Sequence, residues 1–400
     1  MKTKTLFYLF ATGLILFVFM STNSFSQLWF EEWERHPQNP IMDGPVDWTN
    51  DFNWPKIIHE DDTYKMWFTS QEDAWEIGYA WSLDGYSWEI HQAPVISSGT
   101  ANDWDYRKAA GAVLRIDDTL RMWYSGLESD WDPYRIGYAW SLDGISWQLN
   151  EEPVLVGGAF PAIHYDGTIF HMYYNDWLEP IYYATSEDGI TWTKANGNNP
   201  VIEMGAPGTW NDAWIFPNGL IMHNDTLHMF FAGWDDIDNY ITRTGYAWSV
   251  DFINWTVNDD YVFDVVAGGW ESQGNNAGTI LFEDDKYRMW YAGGGNNTES
   301  AIGYAEILIS SIYESNIVKE VSTNPNPFQT STTIEYELSS PENISMTIYN
   351  HLGVQIEAIE KKQSQGKQQV VWNAEGLPAG VYFCVLKTNK RMQTQKIIKL

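Results

Sequence analysis

One unit of sequence recurs along the first three quarters of the chain. The segment IGYAWSLDGYSW at 77–88 returns as IGYAWSLDGISW at 136–147, IYYATSEDGITW at 181–192 and TGYAWSVDFINW at 244–255, and a shorter copy begins at Ile302. A second signature precedes each copy: KMWFTS, RMWYSG, HMYYND, HMFFAG and RMWYAG. Five copies of one unit predict a repeat architecture, because such a unit buries its apolar face against its neighbours.

The unit has the pattern of β-strands rather than helices. KMWFTS and its relatives alternate with the two-residue period of a half-buried strand, and acidic turn residues such as EDDTY (60–64) precede them. The S-x-D-G-x-x-W stretches indicate a further hairpin. Four strands per unit predict the blade of a β-propeller. We expect the aspartates of these stretches to cap turns: Asp84, Asp143, Asp188 and Asp251.

The fifth copy ends without its S-x-D-G-x-x-W hairpin. In other copies a further segment follows this hairpin, and a segment of the same kind stands near the N-terminus. Trp33, Pro40 and Ile41 repeat the order of tryptophan, proline and aliphatic residue seen in Trp88, Pro94 and Val95. The sequence therefore predicts an all-β fold in which residues 27–310 form a five-bladed β-propeller. Its last blade would be completed by the N-terminal strand near residues 29–36, which leaves only short, protected sheet edges.

Both the N-terminus and the composition bear on where the protein acts. Lys2 and Lys4, an apolar run and the small residues Ser24 and Ser26 predict a signal peptide over residues 1–26. The net charge of −30 makes nucleic acid and anionic membranes poor partners; it serves solubility or attracts a cationic partner. Cys384 is the only cysteine, which excludes an intramolecular disulfide. We expect a monomer.

After Ser310 the repeat stops and the composition changes. Residues 311–323 have the character of a linker, and the strand pattern of 324–400 predicts a small antiparallel β-sandwich. This tail resembles the type A C-terminal sorting domain of the Bacteroidota type IX secretion system, through NPNPF (324–328), YNHLG (349–353), LPAGVYF (377–383) and the terminal KIIKL. The resemblance implies the secretion machinery as a partner, removal of the tail, and release or attachment at the outer cell surface.

Residues 28–310 resemble the five-bladed superfamily of glycoside hydrolases that includes families 32, 43, 62, 68 and 130. The resemblance rests on the number of repeats, the M-W/Y-Y strands and the hairpins. It implies a site where the innermost strands converge, with one protonated and one ionised carboxyl group. Family 43 enzymes typically place the base in an Asp-Pro pair at the entry to such a strand. Before Pro55, Pro161 and Pro217 this chain has Trp54, Phe160 and Phe216.

Acids occur a few residues earlier in four of the five repeats, beside tryptophans. They are the candidate proton donor, base and pKa modulator: Asp51, Asp105, Asp212 and Glu271. The alternative is that each tryptophan and acid pack and cap the loop that leads into their own strand. Asp51 and Arg107 occupy equivalent positions in adjacent repeats. At these positions Arg107 would hold the Asp51 carboxyl group ionised.

Residues that break the repeat are candidate binding residues. Arg107 and Lys108 have no basic equivalents and suit a uronate or sulfate, or an ion pair with Asp103 or Asp105. Asp176 is a candidate polar contact. Five tryptophans between the strands are candidates for stacking on sugar rings, with core packing as the alternative: Trp54, Trp131, Trp177, Trp214 and Trp234.

Metal and cofactor signals are weak. The histidines show no zinc-ligand spacing, and WDDIDN (234–239) lacks the glycine and closing glutamate of an EF-hand loop. We therefore expect no metal and no cofactor. The sequence predicts a secreted carbohydrate-active protein, in the first place a glycoside hydrolase acting on extracellular polysaccharide or oligosaccharide. The alternatives are a non-catalytic glycan-binding propeller and a purely structural or adhesive one.

Overall fold

The fold is all-β. The computed structural model describes residue 30 and the ranges 33–71, 74–129, 133–176, 178–234, 241–294, 299–308, 321–338, 342–350, 355–388 and 392–400. Within these ranges one short 3-10 helix at Asn196–Asn198 interrupts the strands. No helix in the described ranges has the length and apolar character that a membrane span requires. The predicted signal peptide lies outside the described residues.

The repeats form five antiparallel sheets in chain order, and each sheet contains one repeat. The first sheet consists of β2 (Asn53–Glu60), β3 (Thr63–Ser70), β4 (Glu76–Ser82) and β5 (Glu89–Ile90). The second consists of β6 (Arg107–Ile116), β7 (Thr119–Leu127), β8 (Arg135–Ser141) and β9 (Trp147–Leu149), and β10 (Leu155–Val156) also pairs with β8. The strands of the third and fourth sheets are β11 (Ala159–Tyr165), β12 (Phe170–Asn175), β13 (Tyr182–Ser186) and β14 (Thr193–Lys194), then β15 (Trp214–His223), β16 (Thr226–Trp234), β17 (Arg243–Ser249) and β18 (Thr256–Val257).

The fifth sheet combines the two ends of the repeat region. It contains β19 (Gly274–Glu283), β20 (Lys286–Gly294), β21 (Ala301–Leu308) and the N-terminal strand β1 (Glu34–Arg35). β1 pairs antiparallel with β21, with Glu34 opposite Glu306. Asn39 extends this pairing, because its side-chain amide both donates to and accepts from the backbone of Tyr304, each at 2.9 Å. The segment that the sequence assigned to the last repeat therefore does pair with its third strand.

The first strands of the sheets contact one another in a cyclic order. β2 neighbours β6, β6 neighbours β11, β11 neighbours β15, β15 neighbours β19, and β19 neighbours β2. The apolar residues of successive sheets pack between them in separate clusters. The first strands therefore lie innermost, and side chains from several sheets meet around their common axis.

The hairpin aspartates cap turns as the sequence predicted. The Asp84 Oδ1 atom accepts hydrogen bonds from the backbone N–H groups of Tyr86 and Ser87, at 3.0 and 2.7 Å. These bonds stabilise the ionised carboxylate and lower the pKa of Asp84, although its partial burial opposes the shift. The same arrangement recurs at Asp143, Asp188 and Asp251.

In four of the five sheets, a buried aromatic residue on the second strand donates a hydrogen bond to the hairpin of the next sheet. The Trp67 indole N–H donates to the carbonyl of Gly144 at 2.8 Å. Equivalent bonds run from Trp123 to Gly189, from Tyr173 to Phe252 and from Trp290 to Gly85. A buried indole N–H requires an acceptor, so these bonds specify which hairpin each sheet packs against.

A second aromatic layer lies within four of the five sheets. In four sheets a tryptophan from the entry loop stacks on an aromatic residue of the second strand, in the pairs Trp48–Phe68, Trp104–Tyr124, Trp210–Phe231 and Trp270–Tyr291. Beneath each ring the third strand has a glycine, where a Cβ would lie 2.1–2.5 Å from the ring: Gly78, Gly137, Gly245 and Gly303. The third sheet differs, because Tyr182 stands opposite Tyr174 at this position.

Residues 321–400 form a separate pair of sheets around their own core. One sheet has the order β22 (Ser322–Asn324), β23 (Ser331–Leu338) and β26 (Gly366–Asn373); the other has β25 (Gln355–Gln363), β24 (Glu342–Asn350), β27 (Gly380–Thr388) and β28 (Met392–Lys399). The core between them includes Ile334, Trp372 and Cys384. The first strand begins two residues before the predicted boundary at 324, and most of the predicted linker lies outside the described residues.

The glycine beneath the second-strand ring is testable. A Cβ at Gly137 would lie 2.1 Å from the Tyr124 ring, which cannot move aside because its hydroxyl is bonded to Asp105. We expect Gly137→Ala to lower the free energy of unfolding by roughly 1–3 kcal/mol in urea denaturation. Gly294→Ala is the control, since among the described residues a Cβ there meets only Ser300 Oγ, at 3.5 Å. Equal stability of the two variants would contradict this packing.

Candidate functional site

Aromatic side chains fill the centre where the first strands begin. Trp54 of β2 contacts Phe160 of β11, with ring centroids 5.1 Å apart, although the first and third sheets are not neighbours. Phe160 in turn contacts Phe216 and Trp214 of β15, at 4.9 and 5.7 Å. With Trp75 and Trp234 at its edge, this group is one hydrophobic cluster, called here the aromatic cluster. The central position is therefore occupied by rings from three sheets.

The backbone bends to place two of these rings. Trp54 and Phe160 have φ values of 46° and 49°, in the left-handed region that bulky residues rarely adopt. Both precede a proline, and in both strands the register shifts at this point by a β-bulge. A bulge redirects a side chain, and strained backbone of this kind concentrates at functional sites. The two strands have local strain where their rings enter the cluster.

The cluster has a buried floor and a partly exposed edge. Phe160, Trp214 and Phe216 are buried, whereas Trp54, Trp75 and Trp234 are half-buried. The burial of Trp214 means that it supports Trp234, 4.4 Å away edge to face, rather than offering its own ring face to solvent. Of the other predicted stacking residues, Trp131 and Trp177 lie outside the described residues. Trp75 was not predicted.

Arg107 lies beside this edge. Its guanidinium carbon is 5.9 Å from the centroid of the Trp75 ring, within the range of a cation–π interaction. The Trp75 carbonyl also accepts a hydrogen bond from the backbone N–H of Lys108. The exposed edge thus combines three indoles with one guanidinium.

Asp51 connects three segments near the centre. Its carboxylate accepts hydrogen bonds from the Asn53 side chain at 2.9 Å and from the backbone N–H groups of Gln71 and Ser300 at 3.2 and 3.0 Å. Burial raises the pKa of Asp51 even though these bonds oppose the rise. That Arg107 holds the Asp51 carboxylate ionised stays a prediction.

Asp105 and Glu271 are each held by side chains of other segments. The Asp105 Oδ2 atom accepts a hydrogen bond from the Tyr124 hydroxyl at 2.7 Å. Glu271 is 1% exposed and pairs with Arg35 at 2.6 Å, and burial raises its pKa despite this pairing. The neighbouring Tyr291 hydroxyl has its own pKa raised, chiefly by burial and then by Glu271.

The repeats themselves explain these two acids. Where an acid follows the loop tryptophan, the ring beneath that tryptophan is a tyrosine, Tyr124 or Tyr291. Where Thr49 or Asn211 takes the place of the acid, the ring is Phe68 or Phe231, which has no hydroxyl. An acid thus occurs only where the ring carries a hydroxyl, which indicates that Asp105 and Glu271 serve as hydrogen-bond partners of a buried tyrosine hydroxyl. A catalytic role for them stays a prediction.

The side chains of the other predicted residues are not members of the aromatic cluster. The Asp212 carboxylate accepts a hydrogen bond from the backbone N–H of Gly208 within its loop. Lys108 is buried, and its ammonium donates to the Asp105 carbonyl at 2.7 Å, 3.5 Å from that residue's carboxylate. Asp176 lies in a separate surface pocket on the third sheet, with Glu179 and Lys194.

A lysine that the sequence analysis did not select lies deeper along the axis. Lys56 of β2 is buried, and its Nζ atom donates to Asn218 Oδ1 of β15 at 3.0 Å. Burial lowers the pKa of Lys56 to about 7. Among the described residues Asn218 Nδ2 and Asn276 Oδ1 have no hydrogen-bond partner. The sequence does distinguish this lysine, because the other repeats have a small residue at its position: Ala112, Ala162, Gly219 and Thr279.

The ion pair of Glu271 provides a stability test. Arg35→Ala leaves a buried carboxylate without its cation, so we expect the free energy of unfolding to fall by roughly 3–5 kcal/mol. Adding Glu271→Gln should recover part of that loss in the same urea titration. Arg243→Ala is the control, because its partner Asp264 is 46% exposed and such pairs contribute about 0–1 kcal/mol. A loss no larger than that of the control would contradict the structural role.

Lys56 predicts a pH dependence. Its folded-state pKa of about 7 lies below the ordinary 10.5, so between these values the unfolded chain binds more protons and stability rises with pH. Below pH 7 both states are protonated and the full cost of the buried ammonium is present. From about pH 6 to pH 10 we expect the wild type to gain on the order of a few kcal/mol relative to Lys56→Met in urea unfolding. Parallel pH profiles would contradict a buried, desolvated amine.

Comparison with known proteins identifies the tail. Residues 322–400 match the secretion system C-terminal sorting domain. An uncharacterized protein of Mycobacterium tuberculosis (strain H37Rv) is 28% identical over 152 residues, which is 34% of this chain and 48% of that protein. The chain thus spans about half the length of this relative.

Solved structures of similar fold are glycoside hydrolases and related phosphorylases. A putative glycoside hydrolase from Bacteroides ovatus has a TM-score of 0.58 at 17% identity, covering 68% of this chain and 96% of that one. The β-1,2-mannobiose phosphorylase of Listeria innocua has a TM-score of 0.58 at 13% identity, and the match covers 71% of this chain and 98% of that one. A structure reported for the GH130 family has a TM-score of 0.59 at 15% identity, and the match covers 69% of this chain and 94% of that one. At such identities the likeness concerns the fold.

These findings agree with the two resemblances noted in the sequence. The repeat region has a propeller fold like that of glycoside hydrolases, which alone assigns no activity. Residues 322–400 are a secretion system C-terminal sorting domain, which directs this protein through type IX secretion to the outer surface of the cell.

Proposed function

We propose that this protein is a secreted, non-catalytic carbohydrate-binding propeller that holds glycans at the exposed edge of the aromatic cluster. One observation carries the proposal. The positions before Pro55, Pro161 and Pro217, where the family 43 resemblance leads us to expect carboxylates, carry Trp54, Phe160 and Phe216, and these rings pack against one another. Most glycoside hydrolases use a pair of carboxyl groups at their site.

The proposal includes a complete architecture. The five sheets are the blades of one propeller over residues 27–310, closed by the N-terminal strand, with a signal peptide at 1–26 and a linker at 311–323. The cyclic order of first strands and the pairing of β1 with β21 support it. So does the bond from Lys56 to Asn218, which joins two sheets that are not adjacent. The sorting domain at 324–400 engages the secretion machinery and is removed on export.

Carbohydrate is the ligand class that this edge favours. The half-buried indoles of Trp54, Trp75 and Trp234 offer apolar faces of the kind on which sugar C–H groups stack. Arg107 adds a donor fork beside them that suits a hydroxyl pair or an anionic substituent. The phosphorylase of similar fold is described in complex with β-1,2-mannobiose. We propose a monomer that binds no nucleic acid.

Hydrolysis is the second candidate, favoured by Asp51. Its carboxyl group is partly exposed and its raised pKa suits a proton donor. A donor requires a second, ionised carboxylate across the substrate. Asp105, Asp212 and Glu271 are held by Tyr124 of β7, by the backbone of Gly208 and by Arg35 of β1, respectively, which favours the binding function.

A binding assay with matched tryptophan variants tests this function. On a panel of neutral and acidic polysaccharides, we expect Trp54→Ala and Trp234→Ala to weaken binding about tenfold, because each removes one stacking face. Arg107→Ala should weaken the binding of anionic glycans more than that of neutral ones. Trp140→Ala is the control, since Trp140 is 43% exposed on a third strand away from the centre.

The same experiment separates binding from hydrolysis. The wild type and Asp51→Asn should retain binding and release no new reducing ends during prolonged incubation. Turnover by the wild type that Asp51→Asn abolishes would replace the binding function with the hydrolase. Unchanged binding in both tryptophan variants would place the site elsewhere.

A further inference from the structure

The third sheet breaks the aromatic layer that the other four preserve. In those four, a third-strand glycine lies under the second-strand ring and a loop tryptophan covers it. Here Tyr182 replaces the glycine, and the short Gly157–Gly158 segment replaces the tryptophan loop. A surface pocket of about 370 Å³ is lined by residues at this place, including Tyr174 and Tyr182. Its size falls in the range of small-molecule sites.

The pocket combines aromatic and hydrogen-bonding groups. The Tyr174 and Tyr182 rings lie 6.0 Å apart at 30°, and the Lys194 ammonium is 5.9 Å from the Tyr174 centroid. The Tyr182 hydroxyl donates to Glu179 at 3.1 Å. Gly157, with a φ of 71°, brings its backbone near the Asp176 carboxylate, because a Cβ there would lie 3.5 Å from Oδ2.

We propose that this pocket is a second saccharide-binding site, which takes one neutral pyranose unit. Tyr182 offers a partly exposed ring to the apolar face of the sugar. Asp176, Glu179 and Lys194 supply acceptors and a donor for its hydroxyl groups. Two carboxylates against one ammonium disfavour a uronate. The site rests on carbohydrate being the ligand, as in the proposed function, but shares none of the described residues of the aromatic cluster.

The test is calorimetric titration of the full chain with mannobiose, cellobiose, lactose and digalacturonate. Tyr182→Gly restores the glycine of the other sheets and removes the ring, and Lys194→Ala and Asp176→Asn remove single polar groups. We expect about tenfold weaker binding of a neutral disaccharide in Tyr182→Gly, with smaller losses in the other two. The control is Tyr86→Ala, at a 39% exposed tyrosine on a hairpin of the first sheet.

The outcomes distinguish this site from the aromatic cluster. If the pocket variants weaken disaccharide binding, and do so equally when combined with Trp234→Ala, the pocket is a separate site. Wild-type affinity in all three pocket variants overturns it, even if Trp234→Ala abolishes binding and thereby supports the proposed function. Tighter binding of digalacturonate than of the neutral disaccharides at this pocket overturns the proposal that its ligand is a neutral sugar. If thermal melting shows Tyr182→Gly unfolded, Lys194→Ala and Asp176→Asn decide, because both change only the rim.

Discussion

The hydrogen bond from a buried second-strand ring to the hairpin of the next sheet organises the repeat region. Trp67 and Trp123 reach Gly144 and Gly189 in this way, and Tyr173 does the same with a hydroxyl. An unpaired buried donor is costly, so each hairpin must lie against the preceding sheet. The fourth sheet has Phe230 at this place, which needs no acceptor, and the sequence of the fifth repeat ends without the hairpin motif. There Phe30 packs on Phe230, 4.9 Å away.

Local patterns predicted the local structure, because strand periodicity and turn chemistry depend on a few neighbouring residues. The Asp84 turn and its copies, the second strands and the pairing of the N-terminal segment were all readable from the repeats. The roles of the acids were not, since they depend on partners distant in sequence. Asp105 could have been assigned from the exchange of Tyr124 for Phe68 and Phe231, which the repeats display.

The aromatic cluster was beyond sequence reasoning for a different reason. Trp54 and Phe160 enter it through left-handed backbone at bulges, and an alternating strand pattern cannot foresee which side such a residue faces. Lys56 was overlooked because one lysine in a strand ordinarily faces solvent. Only the meeting of five first strands makes that position an interior one. The structure thus keeps its repeat at the periphery and departs from it along the axis and at the third sheet.

The central claim is that glycans bind at the aromatic edge without being cleaved. A crystal structure of the secreted protein after prolonged exposure to a bound oligosaccharide tests it most directly. The account predicts an intact glycosidic bond, with a sugar ring stacked on Trp54, Trp75 or Trp234. A cleaved product lying between two carboxyl groups roughly 5–10 Å apart would contradict it and establish a hydrolase.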